Sequence, residues 1–84
     1  MRVELLHVPD CPHVANARRL LHECLAELKI TALVEEHQGA YSSPTILVDG
    51  RDVMGGSMAD GAACRLDQPT REAILAALGA AGGG

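Results

Sequence analysis

The chain has 84 residues, a formal charge of −4 and 48% hydrophobic residues, with Tyr41 as its one aromatic. That length allows one domain with a limited core, and the hydrophobic content argues for a folded chain rather than a disordered one. Interspersed charges, with no basic stripe and no aromatics on which bases could stack, argue against nucleic-acid binding.

In chain order, Val3-Glu4-Leu5-Leu6-His7-Val8 is short, apolar and bounded by Pro9, which predicts a largely buried strand. Asp10-Cys11-Pro12 then opens a helix, with Cys11 as the N-cap and Pro12 in the first helical position. The helix runs to about Leu28 or Lys29. Val14, Ala17, Leu21, Cys24, Leu25 and Leu28 recur at three- and four-residue spacing and form its core face. Arg19 and Glu23 are spaced for an i,i+4 pair. A second strand follows at Ala32 to Glu36, with Glu35-Glu36 as its solvated end. Strand, helix and strand at these lengths make a parallel βαβ unit.

Residues 37–43 are rich in turn formers. Thr45-Ile46-Leu47-Val48 is a third strand, Asp49-Gly50 a hairpin turn, and Arg51 to Met54 a fourth strand, ended by Gly55-Gly56. Residues 57–68 have room for a helical turn around Ala59 to Cys64. A last helix starts between Asp67 and Thr70, with Glu72 in its first turn. Ile74, Leu75 and Leu78 face the core and Gly79 ends the helix. This places a single domain at 1–79 and a disordered tail at 80–84. The predicted fold is α/β, β-α-β-β-β-α, with a four-stranded mixed sheet.

Three segments meet the needs of a thiol site. In Cys11-Pro12-His13-Val14, a thiol at a helix start faces unpaired N–H groups and the positive end of the dipole. Both favour thiolate, which is the nucleophile. Protonated His13 pushes the same way, and Asp10 opposes it. In Ser43-Pro44-Thr45, proline cannot donate to the ladder. A cis bond there would turn the chain and expose backbone groups to an extended substrate. In the segment from Met54 to Asp60, Gly55 and Gly56 permit close backbone approach to a carboxylate.

Two of these segments carry a family resemblance. The stretch from Pro44 to Gly56 resembles the glutaredoxin segment from the cis-proline strand to the double glycine. Cys11-Pro12-His13-Val14 resembles the CPxC site of glutaredoxins and thioredoxins with its second cysteine replaced. The resemblance implies a thioredoxin-like fold with Cys11 as nucleophile, Pro44 as a cis-proline and Thr45 beside the substrate. It places Gly55, Gly56 and Asp60 at the charged end of a small thiol such as glutathione. Pro12 and His13 join them as substrate-binding candidates. The implied activity is thiol–disulfide exchange with a protein or small thiol. No cofactor is implied beyond a low-molecular-weight thiol as co-substrate. The chain is also similar to small bacterial proteins related to organomercurial lyase.

Three departures stand beside the resemblance. Val14 replaces the second cysteine, and the lysine and aromatics usual around the site are missing. The segment between the second and third strands is too short for the family's middle helix, which predicts a less covered sheet face.

The three cysteines, Cys11, Cys24 and Cys64, are too few and too irregularly spaced for a secreted disulfide framework. Cys24 lies on an apolar helix face and reads as a small core residue. Cys64 has two readings, a resolving thiol for Cys11 or a residue packed under its loop. Cys11 and His13 are too few for structural zinc. A thiophilic ion such as Hg(II) or Cu(I) needs only Cys11 and Cys64, so the alternative to an oxidoreductase is a module that binds a partner, a small thiol or such an ion. No basic-then-apolar leader and no apolar run of roughly 18 residues is present, so the expected location is cytoplasmic, with no membrane partner.

Overall fold

A computed structural model describes residues 1–9, 11–40, 42–55, 63–64 and 68–82, with only the backbone described at 42, 63, 64 and 82. The elements are β1 (Val3–His7), α1 (Val14–Glu27), β2 (Val34–Gln38), β3 (Ser42–Ser43), β4 (Thr45–Val48), β5 (Arg51–Asp52), β6 (Ala63–Cys64) and α2 (Arg71–Gly82). The fold is mixed α/β, with a four-stranded mixed sheet in the order β2-β1-β4-β5. β2 runs parallel to β1, from Val3 beside Val34 to His7 beside Gln38. β4 runs antiparallel to β1, from Val3 beside Val48 to Leu6 beside Thr45. The hairpin turn is the expected one. Asp49 and Gly50 both take positive φ, 51° and 83°, the conformation of a type I′ turn.

Alternation along the strands divides the sheet into two faces. Val3, Leu5, Ile46 and Val48 form the inner face. They bury against Val14, Ala17, Leu21, Cys24 and Leu25 of α1 and Ile74 and Leu78 of α2. Both helices therefore cover the same face. Among the described residues no helix intervenes between β2 and β4. The outer face is nonetheless not bare, because Leu6, Thr45 and Leu47 are all buried. Its open part lies towards β2. There Glu4, Glu35 and His37 make a charged surface, with His37 Nε2 3.4 Å from Glu4.

Several boundaries differ from the sequence reading for local reasons. β2 is shifted two residues along the chain. Leu28 leaves the core face and is exposed, because the helix closes there. Ile30 N–H donates to Leu25 O at 2.9 Å and Lys29 N–H to Ala26 O at 3.1 Å, a Schellman pair with Lys29 at φ 56°. β5 stops at Asp52 rather than Met54. The Asp52 carboxylate takes the Met54 N–H at 2.9 Å and its carbonyl takes the Gly55 N–H at 2.9 Å, which turns the chain away.

The stretch read as turn and helical turn instead contributes β3 and β6, which pair in parallel. A helical turn reaching Cys64 is thus corrected to a strand at 63–64. Its earlier part lies outside the described residues. Thr70 caps α2, its Oγ1 accepting the Ala73 N–H at 3.1 Å. The helix does not stop at Gly79. It continues to Gly82, so residues 80–82 are helical rather than a disordered tail. Ala80 and Ala81 are strong helix formers, and a single helical glycine costs only about 1 kcal/mol.

Glu36 is solvent-exposed as expected, but β2 runs on past it to Gln38 and its carboxylate is paired. Arg18 of α1 donates two hydrogen bonds to it, both 2.8 Å, and ties α1 to β2. These bonds hold the Glu36 carboxyl below the ordinary carboxylate range, against a smaller opposing effect of burial. The pair's stabilisation is therefore present above the unfolded carboxyl value of about 4.3 and is lost as pH falls through the lower folded value. The two side chains are 42% and 34% exposed, so screening limits the pair to under about 1 kcal/mol. Urea unfolding of Arg18→Gln is expected to show a loss of that size at pH 7. The difference from the parent should vanish in acid.

Candidate functional site at the end of the sheet

β1 and β2 end at the same edge of the sheet, and β4 begins there. β2 and β4 flank β1, so the chain between them must cross the end of β1. Gly39 N–H still donates to His7 O at 2.9 Å, and β3, further along, packs against β1. Thr45 stands beside Leu6, so Pro44 and Ser43 continue past the end of β1, where the chain leads on to Cys11. In α/β sheets the carboxyl ends of strands are where ligands bind.

The Cys11 turn is placed differently from expectation. The N-cap of α1 is His13, not Cys11, and no side chain caps it. Pro12 restrains the residue before it from helical dihedrals. The regular pattern starts only with Ala17 N–H to His13 O at 3.1 Å, preceded by a long 3.4 Å bond from Val14 N–H to Cys11 O. Cys11 thus lies one tight turn ahead of the helix. Its side chain is half-buried and packed against the core. The helix dipole acts on it from a greater distance than a cap position would give. Pro12 is exposed and His13 half-buried.

The Ser43–Pro44 peptide bond is cis, as the resemblance implies. Ser43, Pro44 and Thr45 are all buried, and Ser43 Oγ has no hydrogen-bond partner among the described residues. β5 returns towards the same edge. Val53 N–H still bonds Ile46 O at 3.0 Å, and Gly55 follows with φ 76°. Gly56 and Asp60, the other candidates for a carboxylate site, lie outside the described residues. The register of β3 and β6 sets Cys64 beside Ser43. Cys11, Pro12 and His13 thus follow the end of β1, Pro44 and Thr45 stand at the start of β4, Gly55 follows β5, and the backbone of Cys64 pairs with Ser43.

Cys24 is elsewhere. It is fully buried, its thiol reaches Arg71 O at 3.8 Å, and burial pushes its pKa up. A groove of about 620 Å³ lies on the far side, between the β4–β5 hairpin and α2. Val48, Asp52, Ala73, Ala77 and Ala80 are among its lining residues. None of the described candidate residues lines it, so this groove and the candidate thiol site are separate. No helix among the described residues is long and apolar enough to cross a membrane.

Sequence reasoning missed the β3–β6 pairing, since two-residue strands leave no periodicity to detect. It also missed the Arg18–Glu36 link. That one had a signal: Val34 and Glu36 share a strand face, and Val34 faces the helix. No family model, curated protein or solved structure matches the chain.

Proposed function

We propose that this chain is a thiol–disulfide exchange protein with a thioredoxin-like, glutaredoxin-like site, working through the Cys11 thiolate in the cytoplasm. The observation that carries the reading is the convergence at the sheet end. A half-buried cysteine after β1, a buried proline just before β4 and a glycine after the returning β5 lie towards the edge where β1 and β2 terminate. Each comes from a different part of the chain.

In this reading the Cys11 thiolate attacks one sulfur of a substrate disulfide and forms a mixed disulfide. The other substrate sulfur leaves as a thiolate and takes a proton from water. Pro12 and His13 border the attacking sulfur. The backbone beside Pro44 and Thr45 offers an extended substrate pairing by strand addition. Gly55, Gly56 and Asp60 take the charged end of a small thiol. A low-molecular-weight thiol serves as co-substrate and regenerates Cys11.

The test is turnover of a glutathionylated peptide with excess small thiol. Turnover above the uncatalysed rate is expected. Its absence, with tight binding of a small thiol or of Hg(II), would favour the binding-module alternative.

A further inference from the structure

We infer that Cys64 is the resolving thiol for Cys11. The inference rests on the thiol-exchange reading above and adds the second cysteine that Val14 denies the helix start.

The β3–β6 pair carries the argument. Ser43 and Cys64 are partners in a parallel ladder, where neighbouring strands lie about 4.8 Å apart. Ser43 immediately precedes Pro44, and β3 packs against β1. By the register of β4 on β1, with Thr45 beside Leu6, Ser43 falls level with Val8, three residues before Cys11. The fold thus brings Cys64 to the strand end that leads into the Cys11 turn. Cys24 is excluded by distance. It lies ten residues beyond Val14 on α1, about 15 Å along the axis, whereas bridged cysteines need Cα atoms within about 7 Å. A second feature marks the same place. Ser43 Oγ is an O–H donor, wholly buried and without an acceptor among the described residues, and a thiolate or disulfide sulfur is an acceptor.

The exchange balances without a further oxidant. In the mixed disulfide, the Cys64 thiolate attacks Cys11 Sγ. The bond from Cys11 to the substrate sulfur breaks, and that sulfur leaves with the electron pair and takes a proton from water. The Cys11–Cys64 bond forms. The substrate disulfide has gained two electrons and the two cysteines have lost them. Two molecules of a low-molecular-weight thiol return the electrons and become a disulfide themselves.

The experiment treats the full chain, its Cys64→Ser variant and its Cys11→Ser variant with bis(2-hydroxyethyl) disulfide. Intact mass and peptide mapping read the products. The parent chain should lose two hydrogens, give a Cys11–Cys64 linked peptide and remain a monomer. Cys64→Ser should instead accumulate the hydroxyethyl adduct on Cys11. An intramolecular thiol acts at an effective concentration in the millimolar range. With free thiol at about 0.1 mM, release of the second substrate thiol should therefore slow about tenfold in that variant. Cys11→Ser should give neither product. A stable Cys11 adduct in the parent chain, a link between Cys24 and Cys64, or a disulfide only between two chains would overturn the role of Cys64 and leave Cys11 as the reactive thiol. Absence of any Cys11 adduct in both the parent and Cys64→Ser would overturn the exchange reading as well.

Discussion

Cys11→Ser is expected to reduce turnover of a mixed disulfide to the uncatalysed rate while leaving the fold intact. A serine hydroxyl is not ionised near neutrality and cannot leave from a disulfide, so the nucleophile is lost outright. The two side chains are nearly isosteric. Cys11 is only half-buried and sits in the turn before α1, where the backbone bond from Val14 goes to its carbonyl, which serine keeps. Its replacement should cost under about 1 kcal/mol. Activity and stability therefore separate. Turnover that survives in Cys11→Ser would transfer the chemistry to another thiol. A cost above about 2 kcal/mol in a chain without turnover would show Cys11 to be a packing residue.

Leu5→Ala should be the most damaging of the simple core substitutions. Leu5 lies on β1, between Glu36 of β2 and Ile46 of β4, and is fully buried under both helices. A buried leucine truncated to alanine costs about 3–5 kcal/mol, because the cavity collapses only in part. The whole domain, at about 0.05–0.15 kcal/mol per residue, has roughly 4–12 kcal/mol. No Phe or Trp is present to relax into the space. Urea unfolding should show a loss of about a quarter or more of the stability, and a partly unfolded population at 37 °C. Leu33→Ala is the natural comparison. Leu33 is 83% exposed, and its truncation should move stability by no more than about 0.5 kcal/mol. Similar losses at the two positions would contradict the assignment of the core.

Much of the architecture was legible because it rests on strong local signals. The apolar run of β1, the spacing of α1, the Asp49-Gly50 turn and the order strand-helix-strand-hairpin-helix all follow from periodicity and turn chemistry. What failed was local and has local causes. The helix start moved from Cys11 to His13, with a turn from Cys11 to Val14 ahead of it. β5 was cut short by the Asp52 side chain, and α2 ran on through Gly79 because alanines surround it. The candidate site was legible as residue types, Cys11, Pro44, Thr45 and Gly55. What periodicity could not supply was the adjacency of Ser43 and Cys64, created by two-residue strands far apart in sequence.

The most direct measurement is the pH dependence of alkylation of Cys11 in the native chain, with Cys24 followed in the same sample. Under the proposal, Cys11 reacts with a midpoint below the thiol reference of about 8.5, while Cys24 stays unreactive until the chain unfolds. A Cys11 midpoint at or above that reference, or a Cys11 as inert as Cys24, would contradict the claim that this chain works through the Cys11 thiolate.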